Sequence, residues 1–208
     1  MNNLEITLNN ELKKLKINLE NNQINLLIKF IELIYKWNKT YNLTSIQSKE
    51  EMLYKHIIDS IVISNYLNGE NFIDVGTGPG LPGIPLAIIN PRKNFYLLDS
   101  LTKRINFIRQ VKRELNLTNI HPILSRCEEY NKEVNFDGIL SRAFASLKDM
   151  INISQNLASE NTVFYALKGQ LIKNEIAEIP QQYKISDIIN LDVPAQLGTR
   201  HLIKVVKG

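Results

Sequence analysis

The chain has 208 residues, of which 44% are hydrophobic, 22% charged and 8% aromatic, which is enough apolar material for one full core and too balanced a composition for disorder. Its single cysteine, Cys127, excludes an internal disulfide or a cysteine zinc cluster, and the three histidines, His56, His121 and His201, are too scattered for metal-ligand spacing. The formal net charge of +4 is compatible with a polyanionic partner without demonstrating one, because many basic proteins bind no nucleic acid.

In chain order, the N-terminal stretch MNNLEITLNNELKKLKINLE has no basic start followed by an apolar run, so it does not read as a signal peptide. No uncharged apolar run approaches bilayer length, and a soluble, cytoplasmic protein is the expectation. Leu4, Leu8, Leu12, Leu15 and Leu19 recur at three- and four-residue steps and predict a helix with one apolar stripe. INLLIKFIELIYKW (24–37) predicts a second, more buried helix. After the polar break NKTYNLTSI, Ser48 and Glu51 form an S-x-x-E capping box that opens a helix through MLYKHIIDSIVISNYL, closed by Asn68-Gly69.

From about residue 70 the texture changes. NFIDVG, NFYLLDS, IHPILS, FDGILSRAFA and NTVFYALKG are short apolar runs alternating with helical patterns, which predicts βαβ units and a parallel sheet. DIINLDVP and RHLIKVV are joined by AQLGT, a connection long enough for a hairpin and too short for a crossover helix. The expected fold is α/β: a mostly parallel, seven-stranded, Rossmann-like sheet of the class I S-adenosylmethionine-dependent methyltransferase type, with an antiparallel C-terminal hairpin. Residues 1–69 would form an N-terminal helical cap docked on a sheet domain of residues 70–208, the two making one compact unit.

The stretch FIDVGTGPGLPGIPLAI (72–88) contains two overlapping glycine patterns. One suits a methyl donor and the other, G-x-G-x-x-G, a dinucleotide. Asp99 ends the next strand, 19 positions after Gly80 and 16 after Gly83, where a carboxylate accepts ribose hydroxyls; both ligands contain adenosine, so it does not decide. Pro79, Pro82 and Pro85 do discriminate. Each lacks the backbone N–H that a pyrophosphate requires at a helix N-terminus. Asp74 would repel a phosphate and attract the ammonium of an adenosyl amino acid. Glycines at 76 and 78 let the backbone approach such a ligand. The alternative is a strand-to-helix turn that needs glycine for its own geometry, with Pro82 at the first helical position.

Seven motifs in order, WNKTYNLTSI, HIIDSI, FIDVGTGPGLPGIPLAI, LLDS followed by Lys103-Arg104, LSRAFASL, FYALKGQ and RHLIKV, together resemble one family along nearly the whole chain. It is the bacterial small-subunit ribosomal RNA methyltransferase G family, also called glucose-inhibited division protein B. The resemblance implies methylation of guanine N7 at position 527 of 16S rRNA, with S-adenosylmethionine as donor and no metal. It implies 16S rRNA or the 30S subunit as partner, and neither membrane nor DNA; a monomer is the default expectation. It places cofactor contacts on Gly76, Leu81, Cys127, Glu128 and Arg142. For Cys127 plain packing is an equal reading; Glu128 taken alone is more often a solvated charge; Arg142 would bind the donor's carboxylate or face RNA phosphate, with a structural salt bridge as the rival reading. Lys168, at the equivalent place on the next strand, is a candidate for facing substrate.

Lys103 and Arg104 sit in the first turn of a helix, where the macrodipole disfavours cations, so they are candidates for contacting RNA phosphate near the cofactor. Arg126 and Arg200 would extend that surface. Arg109, Lys112 and Arg113 fall opposite Phe107, Ile108, Val111 and Leu115 and read as an ordinary solvated face. Trp37 and Tyr41 are candidates for base stacking, with a core role favoured for Trp37. Guanine N7 has an in-plane lone pair and no hydrogen, so no general base is expected, and no catalytic residue is assigned. The rival readings are a nicotinamide oxidoreductase, a methyltransferase acting on protein or a small molecule, and a donor-binding sensor without activity.

Overall fold

The computed structural model describes residues 3–142, 144, 146–169 and 173–208; Ala143 and Ala145 of LSRAFASL and Gln170 of FYALKGQ lie outside them. Helix α1 (Asn3–Lys14) buries Leu4, Leu8 and Leu12. It stops short of the predicted stripe because Lys16 turns to φ 55°, leaving Leu15 and Leu19 half-buried beyond its end. In α2 (Asn21–Tyr41) the Gln23 side chain accepts from the Glu20 N–H at 2.9 Å, and Asn42 ends the helix in the left-handed conformation at φ 48°.

Ser48 Oγ accepts from the Glu51 N–H at 3.1 Å, the expected cap of α3 (Lys49–Met52). The helix does not continue as a regular α-helix. It passes through a π-helical turn (Leu53–Ile58) into α4 (Asp59–Ile61), then a 3₁₀ turn at Ser64–Tyr66. The wider turn lets six consecutive residues, His56 to Ile61, all be buried, which a 3.6-residue period does not allow on one face.

The sheet strands and their helices follow: β1 (Asn71–Val75), α5 (Gly83–Ile89), β2 (Asn94–Asp99), α6 (Thr102–Glu114), β3 (Ile120–Leu124), β4 (Gly138–Ser141), α7 (Leu147–Ser154), β5 (Val163–Lys168), α8 (Lys173–Ala177), β6 (Tyr183–Asn190) and β7 (His201–Lys207). Their order is β3-β2-β1-β4-β5-β7-β6. β1 to β5 run parallel and β7 is antiparallel to both β5 and β6. β6 begins four residues before the expected strand, because a bulge between Ile185 and Asp187 and a mostly exposed edge hide its alternation.

Both faces of the sheet are covered. Phe72, Phe95, Leu97 and Tyr165 pack with α1, α2, α5 and α6 in one cluster, so the N-terminal helices share a core with the sheet. Ile73, Val75, Leu98, Ile139 and Phe164 point the other way, against α7. Chain order reverses between β1 and β4, and a ligand crevice is expected at the C-terminal strand ends beside that switch point.

Candidate active site

The turn after β1 is a backbone structure closed on itself. Gly76, Gly78 and Gly80 have φ of 68°, 60° and 95°, a region L side chains seldom occupy. Gly83 is needed for a different reason: a Cβ there would lie 2.1 Å from Leu97 Cδ2 and 2.9 Å from Asp74 Oδ2. Pro82 precedes α5 as its N-cap instead of occupying the first helical position. The Leu98 carbonyl accepts from Gly76 N–H at 3.0 Å and Thr77 N–H at 3.1 Å, and the Thr77 carbonyl accepts from Gly80 and Leu81. Asp99 Oδ2 accepts from Gly78 N–H at 3.0 Å, Asp74 Oδ2 from Gly83 N–H at 2.9 Å, and Gly80 O from Ile84 N–H. With prolines at 79 and 82, every N–H from Gly76 to Ile84 already has a partner, so none is left to hold a phosphate.

Asp74 is the clasp beneath this turn. Its Oδ2 also accepts from Thr77 Oγ1 at 2.7 Å, while Oδ1 is buried with no partner among the described residues. Burial pushes its carboxyl up to about 6, with the Thr77 hydroxyl and Gly83 N–H pulling the other way.

A cleft of about 190 Å³ opens at the ends of β1, β2 and β3, walled by Gly76, Asp99, Arg104, Arg126, Cys127 and Glu128, with apolar sides from Val75, Leu98, Phe144 and Ile153. Asp99 forms its acidic corner. Among the described residues Oδ1 accepts only from Leu101 N–H at 2.9 Å, and Oδ2 carries Arg104 Nη1 at 3.0 Å beside Gly78. Arg104 Nε is buried without a partner among the described residues, so polar capacity remains unused at this corner. Burial pushes the Cys127 thiol up to about 12, leaving a small neutral hydrophobe. The cleft therefore fits an adenosyl group: an apolar slot and a carboxylate with spare acceptor capacity.

The remaining sequence candidates lie elsewhere. Leu81 is buried in the core, not in the cleft wall. Lys103 donates to the Tyr41 carbonyl at 3.0 Å, capping the end of α2. Arg142 donates to Asp59 Oδ2 at 3.2 Å and to the Lys55 carbonyl at 2.9 Å. Arg200 Nε donates to Asp59 Oδ1 at 2.7 Å. Lys168 pairs with Glu175 at 2.6 Å and reaches the Phe144 carbonyl at 3.2 Å. Trp37 is half-buried, 5.5 Å from Phe107, with the exposed Tyr41 stacked on it at 5.1 Å.

Asp59 is the hub that sequence reasoning missed. Buried on the helix after the π turn, it answers two guanidiniums at once. Its neighbour His56 is pushed down to about 4 by burial and by Arg142, so its ring is neutral at pH 7 and meets Thr44 Oγ1 at 3.0 Å. The signal was a lone carboxylate within the apolar run HIIDSI, since a buried charge needs a partner.

The sheet order, the self-satisfied glycine turn and the cleft over β1–β3 define an S-adenosylmethionine-dependent methyltransferase fold. One solved neighbour is M. capricolum TrmK in complex with the cofactor product S-adenosyl-homocysteine, with a TM-score of 0.54, 20% identity, and coverage of 72% of this chain and 67% of that one. Residues 23–203 match the family described as rRNA small subunit methyltransferase G. The protein of that name from Actinobacillus succinogenes is 55% identical over 208 residues, 98% of this chain and 99% of the relative. The one from Haemophilus influenzae is 58% identical over 192 residues, 92% and 95% of the two chains. The chain belongs to the rRNA small subunit methyltransferase G family and is a methyltransferase. No helix among the described residues is long and apolar enough to cross a membrane, and no cluster of His, Cys, Asp and Glu there could hold a metal.

Proposed function

We propose that this enzyme methylates N7 of a guanine in 16S rRNA, using S-adenosylmethionine and acting as a monomer in the cytoplasm. The observation that carries the donor assignment is the glycine turn whose N–H groups are all engaged internally. A dinucleotide needs several of those groups; an adenosyl amino acid does not. Asp99 would take the ribose hydroxyls, Cys127 and Glu128 would flank the adenine, and Gly76 and Gly78 would let the ligand lie against the backbone. The bound donor supplies an electrophilic sulfonium methyl. The base nitrogen attacks through its own lone pair, so the protein's task is to align the two and exclude water. Arg142, Lys168 and Arg200, held by Asp59 and Glu175, would border the incoming nucleotide.

The test is transfer of labelled methyl from the donor to isolated 16S rRNA and to 30S particles, followed by mapping of the modified base. N7-methylguanine in the rRNA is the expected product. Label on protein or on a small molecule, or thermal stabilisation by NADH and not by the donor, would overturn the reading.

A further inference from the structure

We infer that the packed pair α2–α6 presents a second RNA-contacting face, outside the donor cleft, that grips the phosphate backbone of the substrate; this rests on the rRNA reading above. Taken from α6 alone, Arg109 and Arg113 look like ordinary solvated charges. The fold changes that reading by laying α6 against α2, through Phe30 on Phe107 at 6.4 Å and Trp37 on Phe107 at 5.5 Å. Together the two helices carry eight lysines and arginines against two carboxylates, Glu32 and Glu114. That is a surplus of six, where the whole chain has a surplus of four, so the rest of the molecule is net negative.

The cations of this face differ in kind from those at the sheet edge. Arg104, at the cleft end of α6, and Arg142, Lys168 and Arg200, at the sheet edge, are each ion-paired to a buried carboxylate. Lys29, Lys36, Lys39, Arg109 and Arg113 are exposed, and none of them has an ion pair among the described residues. Unpaired cations are the ones that displace condensed counterions when a polyanion docks. They border two grooves: one of about 540 Å³ holding Lys29, Lys36, Lys39 and Tyr35, the other of about 510 Å³ holding Trp37, Arg109 and Arg113. Lys29 to Lys39 spans about 15 Å along the helix axis. The face is continuous with the donor site, because Lys103 bonds the Tyr41 carbonyl while its neighbour Arg104 lines the cleft. At that junction the exposed Tyr41, stacked on Trp37, offers a platform for a base.

The experiment compares wild type with K29Q/K36Q/K39Q/R109Q/R113Q on deproteinised 16S rRNA and on 30S particles across a salt series, with donor affinity measured alongside. The variant is expected to raise the KM for RNA about tenfold or more at 0.15 M salt and to flatten the log–log salt slope by about 3.5 to 4.5, at roughly 0.7 to 0.9 per cation removed. Donor affinity and turnover at saturating RNA should not move, and K13Q/K16Q/K184Q should behave as wild type. An unchanged KM and slope, or the same change in the control, overturns the inference. A loss confined to 30S particles reassigns the face to an acidic protein and also overturns it. If the wild type methylates neither substrate, the functional reading fails. The face then stands or falls on equilibrium binding of 16S rRNA, whose salt slope must still flatten by the same amount.

Discussion

The two halves of the sheet's C-terminal edge are built by different means. The half over β1, β2 and β3 is made of backbone and near neighbours: Asp74 reaches Thr77 three residues on and Gly83 nine residues on, and Gly78 reaches Asp99 across 21. The half over β4, β5 and β7 is made of ion pairs, and two of the three join distant parts of the chain: Asp59 to Arg142 spans 83 residues and Asp59 to Arg200 spans 141, whereas Lys168 and Glu175 are near neighbours. A rigid donor seat can be written locally, because its ligand always presents the same atoms. The second half depends on assembly: Arg142 and Arg200 come from distant parts of the chain to one buried carboxylate, which must be paired once it is out of water.

The contrast can be broken experimentally, most severely at its hub. Asp59→Ala strips the counter-charge from two guanidiniums that are about a quarter exposed, and should lower the unfolding free energy in urea by about 4 kcal/mol. Donor binding to the folded fraction should be nearly unchanged, whereas RNA turnover should collapse. An equal loss of donor affinity would show that the two halves are not separable.

Asp74 supplies a sharper probe of the donor half. Its folded-state pKa of about 6 lies above the ordinary 3.8, so the native state binds the extra proton. Stability should fall as pH rises from about 4 to about 6, by up to roughly 3 kcal/mol, and level off above that. Asp74→Asn should erase that component of the pH profile; a variant that keeps the wild-type slope would assign it to other groups. Smallest is Gly80→Ala. The new Cβ would meet Ile84 Cδ1 at 2.3 Å from a backbone at φ 95°, and the cost should be about 2 kcal/mol with weaker donor binding. Calorimetry and donor titration on the same sample check both.

Legibility in the sequence follows the same division. The strand–helix alternation, the antiparallel tail and the glycine turn were all readable, because each is a local pattern of period, proline or glycine. Asp99 was readable as an acidic residue at a strand end. Its engagement with Arg104 was not, since that depends on the rotamer of a long side chain in the first turn of α6. Asp59 was invisible as a partner because nothing in the chain order announces a contact with Arg142 or Arg200, 83 and 141 residues away. The π turn was also hidden: a capping box announces where a helix starts and not how it winds further on. The charge on α6 is visible in the sequence, but the surface it shares with the cations of α2 exists only once the two helices pack.

The position of β7 has a consequence for how the molecule comes into being. β6 pairs with β7 and β7 with β5, so the edge strand is made before the strand it must lean on. Until residues 201–207 have emerged from the ribosome, β6 has no ladder and β5 has a bare edge. Arg200 arrives with them, and with it the longest-range ion pair of the site. Synthesis order therefore leaves the half over β1, β2 and β3 able to form early and makes the half over β4, β5 and β7 the last thing to close.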